Sequence, residues 1–259
     1  GLDQFEVSCA PAPALAAADG ALIAREAIRE AARRRGLRAS VTPKPALDAV
    51  GNGAHVHLSL IDRGGANAAH DPHGPLGLSA TMARFCAGIL AHLDALCAVT
   101  APSPVSYHRL GPHHWSCGFR AIGVQNREAS LRVAPGVGEG AARSFNVEYR
   151  PTDGTASPYL TLGALIRAGL EGIRRGLDLP PAVAGDPAEM SPAQRRRAGV
   201  RPLPATLDAA LDAFEADKTV AGWFAPEARR IYLNLKRWEA GLSATVPQAE
   251  LFARYARAY

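Results

Sequence analysis

The 259-residue sequence has little of several things that would place it quickly. There are four cysteines, Cys9, Cys86, Cys97 and Cys117, and no CxxC pair. That spacing excludes a disulfide-stapled scaffold and a cysteine-rich zinc module, and fits reduced, mostly buried thiols. Aromatic residues make up only 6% of the chain. No apolar run reaches the roughly 18 residues that a membrane helix needs. No secretory leader pattern opens the sequence. A GxxxxGK[ST] phosphate loop is also missing, so a bound nucleotide would have to be held in another way. The chain lacks an initial methionine and starts on GLDQFEVS, which reads as strand. The expectation is a fragment without its N-terminal part.

What is present is globular in character: 47% apolar residues, 20% charged residues and a formal net charge of +5. The triplets Arg33-Arg34-Arg35 and Arg195-Arg196-Arg197 raise the question of nucleic acid. The first closes a helix, where cations favour the dipole, and the second lies in a Pro-flanked loop. Neither interleaves with aromatics as a base-stacking surface does, so no nucleic-acid partner is expected. The expected setting is cytoplasmic, with no membrane contact.

Periodicity places the elements. Residues 3–9, 37–42, 54–61, 129–133 and 145–150 read as strands. Helices are expected over 19–35, with Asp19 as N-cap and Gly36 as stop, and over 79–98, capped by Ser79. Met82, Phe85, Cys86, Ile89, Leu90, Leu93, Leu96 and Cys97 give the second a clear apolar stripe. A further helix starts at Ser157-Pro158 and runs to about 175. A Pro-rich linker covers about 179–205, and short helices follow near 206–217, 226–240 and 247–257. Strands and helices mix without a regular βαβ rhythm. The predicted class is α+β, with an antiparallel sheet that is polar on one face and backed by helices on the other.

The polar face carries the chemistry. GNGAHVHLSL (51–60) alternates, putting His55, His57 and Ser59 on one face and Val56, Leu58 and Leu60 on the other. Residues 3–9 add Glu6 to the polar set, 129–133 add Ser130 and Arg132, and FNVEYR adds Asn146, Glu148 and Arg150. Each strand alone could be a solvated face. Together they would gather two carboxylates, two imidazoles and two guanidiniums on one surface. Carboxylates with a histidine suit Mg2+ or Mn2+ rather than structural zinc. Arginines around such cations suit phosphoryl transfer, in which charge builds up on oxygens.

These motifs resemble the catalytic domain of the glutamine synthetase family. PKP followed by GNGAHVHLSL, SYHRL followed by QNREASLRV, the Glu-x-Arg strand FNVEYR leading into PTDGTASPYL, and QFEV near the start match family segments in one order. The match runs over about 1–178 and more loosely to Tyr259. The resemblance implies a curved antiparallel sheet like that of guanido kinases. It also implies that 1–259 is part of the catalytic domain, without the N-terminal β-grasp domain and the start of the catalytic domain. By the same resemblance the metal ligands would be Glu6, His55 and Glu148. Gly51, Asn52, Gly53, Arg109 and Arg150 would hold the acid substrate. His57, Ser59, Arg127 and Arg132 would hold ATP, and Arg127, Arg150 and His57 would be catalytic. The implied reaction is ATP-dependent: glutamate becomes γ-glutamyl phosphate, and a nitrogen nucleophile displaces phosphate. The implied assembly is a homo-oligomeric ring, a dodecamer, and the fragment alone would be inactive.

The sequence departs from the family at the flap. Where glutamine synthetases resemble Arg-Leu-x-Pro-x-x-Glu, this chain has Arg109-Leu-Gly-Pro-His-His-Trp115. Asn146 also stands where the family often has a basic residue. A Trp offers an apolar or cation–π wall to a larger amine. The reading that follows is a ligase that uses an organic amine, with Trp115 in the substrate set and His113 and His114 available for proton removal. The alternatives are ammonia-using glutamine synthesis with a divergent flap and a non-catalytic relative kept for assembly or regulation.

Overall fold

The computed structural model describes residues 1, 3–114 and 116–259. Trp115 therefore lies outside the described residues. The chain opens with an exposed segment rather than a strand. Phe5 is 90% exposed, Val7 is also open to solvent, and residues 3–9 pair with nothing as a ladder. Helix α1 (Ala14–Arg33) begins after Pro13, five residues before Asp19, whose carboxylate instead accepts from Tyr159 Oη at 2.6 Å. The 37–42 segment is likewise not a strand.

Strand β1 is short (Val56–Leu58). Helices α2 (Ala80–Ala91) and α3 (Leu93–Thr100) follow, where the periodicity predicts one helix. The break is at His92, and the two axes differ by 75°. His92 Nδ1 bonds Asp217 Oδ2 at 2.5 Å, and its ring meets Trp223 edge-on, so a distant part of the chain fixes the bend. A one-turn helix α4 (Ser106–Arg109) leads to β2 (Phe119–Val124) and β3 (Ala129–Ala134). Helix α5 (Ala141–Ser144) precedes β4 (Asn146–Tyr149). Helix α6 (Pro158–Arg175) stops at Gly176, whose φ of 61° suits a residue without a Cβ. The supposed linker holds helix α7 (Pro192–Arg197), opened by a Ser191–Gln194 capping box, and strand β5 (Arg201–Pro202). Arg195–Arg197 are thus helical, and Arg195 stacks over Phe119 at 5.0 Å. Helices α8 (Leu207–Ala216), α9 (Lys218–Ala221), α10 (Pro226–Ala244) and α11 (Gln248–Ala258) complete the chain.

The strands form one open sheet in the order β1-β4-β3-β2-β5. It is mixed rather than purely antiparallel, because β2 runs parallel to β3. Only residues 125–128 return the chain between them, close to the reach of an extended segment. Val147, Tyr149, Leu131, Val133 and Ile122 face the core, with α2, α3, α6 and α8 behind the sheet. Tyr149 is fully buried, and its hydroxyl meets Thr100 Oγ1 at 2.9 Å, which ties β4 to the end of α3. Among the described residues, no single helix is long and apolar enough to cross a membrane. The bent α2–α3 pair is long and apolar enough only as two pieces, and it lies in this core. Cys86, Cys97 and Cys117 are buried and Cys9 is exposed, so the thiols are mostly buried as expected.

Candidate active site

Strand register puts the polar residues together. His57 pairs with Glu148 across β1 and β4, and Arg132 pairs with Glu148 across β3 and β4, so all three share the face away from the core. Neighbouring strands lie close enough for such pairs to touch. Glu148, 2% exposed, is the hub. Its Oε1 accepts from His55 Nδ1 at 2.9 Å and from Arg150 Nη1 at 2.7 Å, and its Oε2 contacts Arg132 Nε. Burial pushes the Glu148 carboxyl upward. The His55 hydrogen bond and the Arg150 and Arg132 charges outweigh this and bring it down to about 2.

His55 is held at both ring nitrogens. Nδ1–H donates to Glu148, and Nε2 accepts from Arg109 Nη2 at 3.1 Å. That is the neutral imidazole, and burial, with the Arg109 and Arg150 charges, lowers its pKa further against the pull of Glu148. Arg109, 2% exposed at the end of α4, also donates to Thr152 O at 3.2 Å and Arg150 O at 3.3 Å. Its partners are therefore His55 and backbone carbonyls of the turn after β4, and no carboxylate pairs with it among the described residues. Asp153 lies in the same turn, is fully buried, and accepts from Thr155 Oγ1 at 2.6 Å. Burial raises its pKa against the opposing pull of Arg109.

The GNG loop closes over Arg109. A Cβ on Gly53 would lie 2.5 Å from Arg109 Nη2 and 2.6 Å from His55 Nε2, and one on Gly51 would lie 2.8 Å from Arg109 Cγ. Both positions need the missing side chain. Asn52 Nδ2 donates to Thr42 O at 2.9 Å, and Gln4 Nε2 donates to Gly51 O at 2.9 Å, so the N-terminal segment crosses this loop. On the open side, His57 Nδ1 donates to Asn146 Oδ1 at 2.8 Å. Ser59 Oγ donates to Phe145 O at 2.9 Å. Arg127 and Arg132 line an open cleft of about 440 Å³ with Gln125, Ala134 and Pro135.

The structure thus brings together His55, Glu148, Arg109, Arg132 and Arg150, with the GNG loop above and His57 and Arg127 at the rim. Glu6 is exposed outside this cluster, and among the described residues no third His, Cys, Asp or Glu joins His55 and Glu148 in a metal-binding group. These two fit as part of a divalent-cation site once the Arg109–His55 hydrogen bond opens and frees the Nε2 lone pair. They offer one imidazole and one carboxylate whose buried Oε2 lacks a well-formed hydrogen bond. Sequence reasoning missed the carbonyls of Arg150 and Thr152, and Asp153, Gln4 and Thr42. The carbonyls have no residue-type signal at all.

A cationic face that gathers one buried carboxylate and several arginines over a mixed sheet is suited to holding anions. Comparison with known proteins takes this further: the sequence model for "Glutamine synthetase, catalytic domain" matches residues 1–255, and the chain belongs to that family. It is 40% identical over 238 residues to a γ-glutamylpolyamine synthetase of Streptomyces coelicolor, covering 92% of this chain and 51% of that protein. It is 35% identical to a glutamine synthetase of Methanocaldococcus jannaschii, covering 91% and 51%. A crystal structure of a novel glutamine synthase homologue superposes with a TM-score of 0.83 at 41% identity, covering 97% of this chain and 56% of the other. An ADP complex of GmaS gives 0.78 at 32%, covering 92% and 54%. The chain spans about half the length of the curated relatives it matches.

Proposed function

We propose that the intact protein is an ATP-dependent ligase that joins the side-chain carboxylate of glutamate to an organic amine. The observation that carries this reading is the 109–118 segment, RLGPHHWSCG, which contains no carboxylate. A flap without a carboxylate has no charge with which to draw a proton from ammonium, whereas Trp115 gives a larger amine an apolar wall. The similarity to a γ-glutamylpolyamine synthetase supports the same choice.

The chain's own residues divide the work. Arg109, held by two carbonyls and by the GNG loop, presents a planar fork to the α-carboxylate of the acid. Arg127 and Arg132 line the cleft for ATP phosphates and stabilise charge on the moving phosphoryl group. Arg150, anchored through Nε to Arg127 O at 3.0 Å, stands between phosphate and acid. His57 and Ser59 face the nucleotide side. His55 and Glu148 would hold a divalent cation, Mg2+ or Mn2+, together with donors from beyond this chain, Glu6 among the candidates. When bound, the cation offsets phosphate charge. Activation gives the carboxyl a good leaving group, and a site closed to water favours attack by the amine. The whole protein, of which this chain is one part of the catalytic domain, is proposed to be a homo-oligomeric ring acting in the cytoplasm.

The test is ADP release by the intact protein with ATP, Mg2+ and glutamate, adding ammonia, methylamine, ethanolamine, putrescine or an aromatic amine in turn. Faster turnover with an organic amine than with ammonia supports the reading. Turnover with ammonia alone makes the protein a glutamine synthetase with a divergent flap. No turnover with any nucleophile by a folded ring points to a non-catalytic role.

A further inference from the structure

The glycine loop over Arg109 is anchored by main chain and by side chains. Asn52 N donates to Pro43 O at 2.8 Å, and Ala54 N donates to Thr152 O at 3.1 Å. Those are main-chain bonds that most residues could make. The other anchors depend on two amides. Asn52 Nδ2 donates to Thr42 O at 2.9 Å. Gln4 Nε2 donates to Gly51 O at 2.9 Å and to Asn52 Oδ1 at 2.5 Å. The two side chains thus meet, and together they join the N-terminal segment, the loop and Thr42. Gly51 and Gly53 in turn lie against Arg109, since a Cβ on either would run into its side chain. Whatever holds the loop therefore sets how the Arg109 guanidinium is covered.

Gln4 stands out within its own segment. It alone is half-buried in the run 3–10, whose other members are all exposed, and Phe5 beside it is 90% exposed. The side chain that turns inward is thus a polar one, and a half-buried amide is favourable only when it is bonded. Both oxygens that Gln4 Nε2 meets are acceptors, so only a donor fits there. Asn52 departs from the role that the family resemblance implies. Its Oδ1 accepts from Gln4 and its Nδ2 donates to Thr42 O, so both ends of its amide serve the scaffold. A side chain used in this way acts on a substrate through the loop rather than by touching it.

We propose that Gln4 and Asn52 are positioning residues for the acid substrate: their paired amides clasp the glycine loop to the N-terminal segment and hold it in place over Arg109. This rests on the reading above in which Arg109 takes the α-carboxylate of glutamate, and it names the residues that prepare that position. The clasp touches neither substrate nor phosphate.

The experiment uses the intact protein and its Q4A, Q4E, N52A and Q4A/N52A variants. The readouts are KM for glutamate, KM for ATP, and glutamate binding by calorimetry. Q4A should raise KM for glutamate about five- to thirtyfold, the loss of two ordinary hydrogen bonds, and leave KM for ATP within about twofold. Q4E has the same shape but sets a carboxylate oxygen against two accepting oxygens, so it should do at least as much harm. Because the amides act as one clasp, the effect of Q4A/N52A should fall short of the product of the two single effects. A KM for glutamate that stays at its wild-type value in Q4A and Q4E overturns the assignment and leaves the ligase reading standing. KM values for glutamate and ATP that rise together also overturn it, because they report a loosened fold. A wild-type protein that binds no glutamate overturns the reading of Arg109, and the assignment with it.

Discussion

The two halves of the site are built differently. The half that would handle phosphate and acid is woven into the sheet. Glu148 is gripped from three sides, Arg109 is buried among carbonyls, and Gly51 and Gly53 leave no room for change. The half that would choose the nucleophile is a loop, residues 110–118. There His113 is 68% exposed and reaches Asp186 only at 3.5 Å. The contrast teaches where chemistry and specificity can separate. Charge handling needs preorganised groups on rigid elements, while the identity of the nucleophile can be altered in a loop without disturbing them.

The largest effect should come from breaking the woven half. Glu148→Ala leaves His55, Arg132 and Arg150 around an empty buried position, and should cost about 3–5 kcal/mol of stability, read from denaturant unfolding. The pH dependence sharpens the same point. Glu148 has its carboxyl lowered from 4.5 to about 2, so it stabilises the fold fully above about pH 4.5 and loses that contribution as pH falls toward 2. An acid titration of the metal-free protein should show a loss of about 3 kcal/mol across this window, and Glu148→Gln should flatten that limb. Next in size is Gly53→Ala, whose methyl meets Arg109 and His55. It should cost about 1–3 kcal/mol and raise the KM for glutamate, measured by melting and steady-state kinetics. On the loop side, Trp115→Glu should shift preference toward ammonium. An unchanged amine-to-ammonia ratio would count against a role for Trp115. His113→Ala should be the mildest, changing stability by less than about 0.5 kcal/mol, as expected for an exposed pair.

Much of this architecture could be read from residue order, and the exceptions have physical causes. The alternation in GNGAHVHLSL and FNVEYR put His57 and Glu148 on one face, and the ladder pairs them directly. The stripe from Met82 to Cys97 marked the central helices, but the bend at His92 depends on Asp217, 125 residues away, which no local pattern contains. Strand β2 was missed because Phe119, Ala121, Ile122 and Gly123 are all buried, and a strand covered on both faces does not alternate. The reverse error came at residues 3–9. They alternate like a strand, yet among the described residues Phe5 and Val7 stay exposed. Glu6, expected as a metal ligand on that strand, is accordingly exposed apart from His55 and Glu148. Arg109 was recognised only through the family motif. Its position depends on main-chain oxygens, which sequence does not distinguish.

The most direct test of the central claim is a competition. The intact protein would be given ATP, Mg2+, glutamate and equal concentrations of ammonia and putrescine, and the products separated by mass spectrometry. The account predicts that γ-glutamylputrescine predominates. Glutamine as the main product would contradict it.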